Sequence, residues 1–153
     1  MAARRKLAAD AWGSLLQVHA GLVPTLDKTV RQTSGMPLSW YDVLLELAAE
    51  PDGRLRMSDL AERVVLSRTR VSRIVDELMA RGWIDKHGHP KDRRSAYAEI
   101  TQPGLAEFKA AAPTYLRAIE REFAGPLTNA ELAQLAMLLG KVNPRQRCAT
   151  SPG

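Results

Sequence analysis

Cysteine is almost absent from this sequence: Cys148 is the single one among 153 residues. An internal disulfide framework is therefore excluded, and a free thiol near the C-terminus is all that remains. There is no run of about 18 apolar residues, which argues against a membrane-spanning helix. The opening MAARRKLAADAW is basic, but no apolar stretch of the kind that follows the basic start of a signal peptide comes after it. These absences lead to the expectation of a cytoplasmic protein with no membrane association. The sequence also lacks a Gly-rich phosphate loop, a nucleophile motif and a set of metal ligands at suitable spacing. His87 and His89 stand near Asp92 in a charged stretch without further ligands, so they read as solvated residues. No enzyme, metal or cofactor is expected, and no internal repeat is visible.

What is present is an ordinary globular composition, 45% hydrophobic and 25% charged. A chain of this length suits one domain with a real core. The net charge of +5 is unevenly placed. Residues 54–94 hold 11 Lys/Arg and 6 Asp/Glu, which taken from totals of 22 and 17 leave 11 of each elsewhere. All the excess positive charge thus falls in one segment, either the footprint of a polyanion or a merely solvated basic surface.

Apolar spacings of three and four, from Leu7 through Ala11, Leu15, Val18, Leu22 and Leu26 to Val30, predict a helix over 7–31. Pro24 predicts a kink or break near 20–23. TSGMPL is a connector, and Ser39 is expected to cap a second helix whose apolar face is Tyr41, Leu44, Leu45 and Ala48. PDGR at 51–54 signals a turn. Ser58 is expected to cap a short helix, and Ser67 the next one, which ends at Gly82. Trp83–His87 and Ser95–Ile100 read as strands around a charged loop, HPKDRR. Thr101 caps a long helix to about residue 124, and Thr128-Asn129-Ala130-Glu131 is a capping box opening the last one. The tail, 143–153, reads as disordered. The expected fold is mainly α with a small β-hairpin wing: a winged helix-turn-helix over 36–100, flanked by helices at 7–33 and 101–142 in a single domain.

The helix in SRTRVSRIVDELMARG carries the chemistry. With Val71 at zero and 100° per residue, Ile74, Val75, Leu78 and Met79 fall within about 80° of it. Thr69 and Arg73 fall nearly opposite, with Arg70 and Ser72 on the flanks. The back suits packing, and the front suits something polar and negative. Double-stranded DNA fits, because the N-terminal residues of such a helix enter the major groove. There an arginine can donate to guanine O6 and N7, while hydroxyls reach phosphate or base edges. The candidate contacts are Ser67, Arg68, Thr69, Arg70, Ser72 and Arg73. The hairpin tip adds Lys91, Arg93 and Arg94, which suit a narrow minor groove, and Asp92, whose role would be to hold an arginine. The rival is a winged module that contacts an acidic protein and shows no specific DNA binding.

The stretch RLRMSDLAERVVLSRTRVSRIVDELMARGWIDKHGHPKDRRSAYAEITQPG resembles the MarR family of bacterial transcription regulators. LAERVVLS, VSRIVDELMARGWI, DRR and ITQPG carry the likeness. The family's wing pattern is matched by Asp92, Arg94, Ile100-Thr101 and Gly104, with Ile100 in place of the usual Leu. Arg68 stands where many members have proline. The resemblance implies a homodimer on a palindromic operator, paired through the first and last two helices. Leu105, Phe108, Leu116, Ile119, Phe123, Leu132, Leu135, Leu138 and Leu139 supply apolar surface for that pairing. It also implies a repressor responsive to a small aromatic or phenolic effector held between the dimerisation helices and the winged lobe. Trp12, His19, Trp40 and Tyr41 lie in regions suited to line that crevice, though each also reads as a packing or surface residue. Relatives that sense peroxide use a cysteine in the first helix, and this chain has none there.

Overall fold

The computed structural model describes residues 1–64, 66–89 and 92–143. Six helices and a three-stranded sheet follow in the order α1 (Ala2–Ser34), α2 (Leu38–Ala48), β1 (Arg54–Arg56), α3 (Met57–Arg63), α4 (Arg68–Ala80), β2 (Ile84–His89), β3 (Asp92–Ile100), α5 (Gln102–Ile119) and α6 (Asn129–Val142). A π-helical turn, Glu120–Ala124, prolongs α5. The expected class, mainly helical with a small β wing, is the one found.

The first helix runs through Pro24 as one element of 33 residues, so the break expected near 20–23 does not occur. The proline removes one N–H from a long ladder and leaves the rest in place. Beside the gap, the Thr25 hydroxyl donates to the Gly21 carbonyl at 3.0 Å. The helix stops where Gly35 takes φ +70° and its N–H returns to the Arg31 carbonyl, a left-handed stop that suits glycine.

Two caps fall elsewhere than expected. Pro37, not Ser39, precedes the first turn of α2, and it brings no side-chain bond. Arg56, not Ser58, precedes α3. In both cases a nearby hydroxyl looked like a cap, but it stands one residue or more inside the helix. The buried face of α2 is Leu38, Tyr41, Val43, Leu44 and Leu47, while Leu45 is exposed. That face is wider and rotated from the one the spacing suggested, because α2 is covered from several sides.

The ribbon is a three-stranded antiparallel sheet in the order β1-β3-β2. Leu55 of β1 faces Ala98 of β3, and Lys86 of β2 faces the same residue from the other side. Three residues are too few for an alternating pattern, so β1 gave no sequence signal. The hairpin strands are also longer than expected, since β2 reaches His89 and β3 begins at Asp92, with a register irregularity between His87 and His89. Charged residues assigned to a loop thus lie in the ladder.

One core cluster runs from Met36 to Ala111. Val43, Leu44, Leu47, Leu60, Val71, Val75 and Leu78 are fully buried in it. Phe108 and Tyr115 of α5 pack on this cluster, with the Tyr41 ring 5.0 Å from Phe108 and 4.6 Å from Tyr115. A second, small cluster joins Leu26, Leu38 and Ala118 where α1, α2 and α5 meet. By contrast, α6 contains no buried residue, and Leu7, Trp12, Leu15, Leu16 and Val18 on α1 are exposed.

Candidate nucleic-acid interface

Ser67 opens α4 in extended conformation, and its hydroxyl accepts the Arg70 N–H at 3.3 Å. This cap fixes where the helix begins and therefore which residues form its tip. Val71, Ile74, Val75 and Leu78 are buried beneath it, so the opposite side must face out. Arg68, Thr69 and Arg70 are exposed, and the Arg73 side chain is 82% accessible. Ser72 is half-buried on the flank and Met79 is exposed, so the apolar face is narrower than the spacing implied. The six candidates on this helix thus form one surface, five of them fully outward.

That surface borders a cleft of about 710 Å³ between α4 and the junction of α1 with α2. Arg31, Ser39, Trp40, Thr69, Arg70 and Arg73 line it. Neither Arg31 nor Ser39 was among the contacts expected from the sequence. They stand about 30 to 40 residues before the α4 arginines, and only the packing of α2 across α4 brings them alongside. Three arginines around one opening make an electropositive trough, and arginine's planar fork matches phosphate oxygens. Glu77 also lines the trough, with its Oε1 atom 3.7 Å from the Arg73 Nε. One turn of helix separates it from Arg73, which is near enough for their charges to meet.

The base of the wing is held by polar pairs across the sheet. Arg54 donates to Glu99 at 2.7 Å, and His87 Nε2 lies 3.1 Å from the same carboxylate. The hydrogen bond from Arg54 is the largest cause that holds the Glu99 carboxyl below its ordinary value. Arg56 donates to the Tyr97 hydroxyl at 2.9 Å. Each of these bonds ties an edge strand to β3, which carries the backbone of Asp92, Arg93 and Arg94 outward. Lys91 lies outside the described residues, as does Cys148.

The four residues proposed for an effector crevice do not converge. Tyr41 is 3% exposed and fills the core against Phe108 and Tyr115. Trp40, its neighbour, points to the other side of α2, where its indole N–H donates to Glu77 at 3.0 Å. Trp12 is exposed on α1. His19 borders a different cavity from Trp40, an apolar groove of about 340 Å³ lined with Leu15, Val18, Leu22, Leu26, Ile119 and Phe123. Adjacent positions on a helix diverge by 100°, which is why Trp40 and Tyr41 serve different sites. Asp42, next in the chain, is a half-buried carboxyl raised to about 6, chiefly by burial and then by the charge of Glu46.

Residues 34–95 match the model of the MarR family. Over 89 residues the chain is 27% identical to the transcriptional repressor MprA of Escherichia coli K12, a match covering 58% of this chain and 50% of MprA. The chain therefore spans about half the length of the curated relatives it matches. Among solved structures, AbsC, a MarR family transcriptional regulator from Streptomyces coelicolor, superposes with a TM-score of 0.75 at 27% identity, covering 91% of this chain and 93% of AbsC. Sco3205, another MarR family regulator from the same organism, was solved in complex with DNA. It superposes at 0.74 with 28% identity over 88% of this chain and 87% of its own. The matched segment contains the capped α4, the α2 that packs across it and the first strands of the wing, and the chain shares the overall fold of these MarR family regulators.

Proposed function

We propose that this protein is a transcriptional regulator that binds double-stranded DNA sequence-specifically as a homodimer on a palindromic operator. The observation that carries this reading is the surface of α4. Its apolar side is consumed by the core, while Ser67, Arg68, Thr69, Arg70 and Arg73 stand together outside at a capped helix N-terminus. Free N–H groups and partial positive charge at that end favour phosphate. The arginines supply base-reading forks. The wing arginines extend the footprint into the neighbouring groove. A relative of the same plan has been crystallised with DNA.

Dimerisation follows from what α1, α5 and α6 leave uncovered. Leu7, Trp12, Leu16, Leu116, Met137, Leu138 and Val142 are exposed in the single chain, more apolar surface than a lone soluble subunit carries without a partner. Two-fold pairing would also set two α4 helices about one DNA turn apart. Repression is the outcome favoured by the match to MprA. A small effector, if it enters the groove beside His19, needs to distinguish two dimer conformations by only about 1–3 kcal/mol to control DNA affinity.

The test is fluorescence anisotropy of the purified chain on duplex from the region upstream of its own gene, over a range of salt. The expected result is a steep salt dependence and a preferred site with inverted half-sites, bound by a species of twice the chain mass in sedimentation. Salt-insensitive behaviour with no affinity for any duplex would leave only the protein-contact reading.

A further inference from the structure

We infer that Trp40 is a positioning residue for the base-reading arginine Arg73, and that it acts through the Glu77 carboxylate. This rests on the reading of α4 as the DNA-reading helix.

The two oxygens of Glu77 are divided between two helices. Oε2 accepts the Trp40 indole N–H from α2 at 3.0 Å. Oε1 approaches Arg73 Nε on α4 at 3.7 Å, an ion-pair distance. Trp40 is itself held firmly. Its ring meets Trp83 edge to face, with centroids 6.0 Å apart and planes at 87°. The Arg81 guanidinium lies 4.7 Å above Trp40 and 5.4 Å from Trp83. A rigid indole thus aims a donor at a carboxylate that would otherwise swing freely on the helix surface.

That anchoring matters because the pair it supports is weak by itself. An arginine four residues before a glutamate is the poorer order for a helical ion pair. Exposed pairs of long side chains also lose most of their attraction to side-chain freedom. Among the described residues, Glu77 is the charged partner of Arg73. Fixing one member from a second helix narrows the range of the other. The direction of approach is also selective. A guanidinium has a side edge that includes Nε and an end edge made of its two amino groups. With Glu77 on the Nε side, the end fork is left for guanine O6 and N7. The charge of Glu77, adverse beside phosphates, is engaged on both oxygens.

The experiment has two arms. Without DNA, proton-nitrogen spectra of the full chain follow the Trp40 indole N–H and the Arg73 Nε–H. Trp40→Phe keeps an aromatic ring for Trp83 and removes the N–H donor. It is expected to quicken Arg73 Nε–H exchange, while Glu77→Gln shifts the Trp40 indole signal. With DNA, selection from a random duplex library defines the preferred site. Affinities for that site and its single-base variants are then compared. Trp40→Phe and Glu77→Gln are expected to lower discrimination roughly tenfold at the base position that Arg73→Ala affects. The loss should be confined to that base position, and Trp40→Phe should add nothing in an Arg73→Ala background. Unchanged discrimination, equal loss on all sequences, or additive losses in the double variant would overturn this inference alone. A parent chain that binds no duplex would overturn the DNA reading with it, whatever the spectra of the three residues show. Should Trp40→Phe melt early, the exposed Glu77→Gln decides by itself.

Discussion

The Asp27 carboxylate of α1 accepts the backbone N–H of Leu38 at 2.8 Å, and so caps α2 from eleven residues upstream. The cap residue of α2 is Pro37, which offers no oxygen of its own. A donor that would be orphaned at the half-buried helix start is thus satisfied by the neighbouring helix. The same carboxylate pairs with Arg31 at 3.2 Å, one of the arginines of the electropositive trough beside α4. Asp27→Ala is expected to cost about 1 kcal/mol of stability, read as a lower denaturant midpoint at unchanged slope. Asp27→Asn, which keeps an acceptor, should recover most of it. Identical midpoints for parent and alanine variant would mean that water serves the Leu38 N–H as well.

Gly104 answers to a close approach, not to a turn. A Cβ placed there would stand 2.1 Å from the Trp83 carbonyl oxygen, a backbone atom that cannot swing aside. The Trp83 carbonyl is also fixed by the Thr101 N–H at 3.0 Å. Gly104→Ala is therefore expected to destabilise the fold by about 3 kcal/mol, with the wing loosened because Trp83 leads into β2. Hydrogen exchange of the β2 amides would report it. A variant as stable as the parent would show that α5 can back away at no cost.

Asp42 links stability to pH. Burial, with the Glu46 charge second, raises its carboxyl from 3.8 to about 6. A raised carboxyl favours the protonated native state. Its contribution is full below about pH 4 and is lost as pH climbs through 6. Asp42→Asn should match the parent near pH 4 and exceed it by about 1 kcal/mol at pH 7.5, a figure reduced for partial solvent contact. Denaturant titrations at the two pH values test the sign, and a gap that is the same at both would rule out this carboxyl as the source.

The helix and the wing should fail differently. Arg73→Ala is expected to cost about 1–3 kcal/mol on the preferred duplex and little on random sequence. Arg94→Ala should weaken binding most where the flanks are A·T-rich. Competition assays with flank-exchanged duplexes separate them. Equal loss on every flank would reduce the wing to phosphate contact.

Several features were legible because they depend on neighbours in the chain. The caps at Ser67, Thr101 and Thr128 all hold, each hydroxyl accepting an N–H three residues on. Turn chemistry placed PDGR, and the 3.6-residue period separated the buried Val71, Ile74, Val75 and Leu78 from the outward Thr69 and Arg73. Local rules misled where a plausible hydroxyl, Ser39 or Ser58, sat inside a helix whose start was set by other contacts. They were silent on β1, three residues whose strand character comes from pairing with Arg54↔Glu99 and Arg56↔Tyr97.

The sequence by itself determined which helix carries arginines and hydroxyls, where that helix starts, and which side of it must be dry, since capping and periodicity act over one or two turns. Only the tertiary structure decided what stands opposite that helix. Arg31, Ser39 and Trp40 reach α4 because α2 packs across it, and the Glu77 carboxylate is shared with Trp40 over 37 positions of chain. Contacts at that range are fixed by how apolar faces stack, and no local pattern of residues records them.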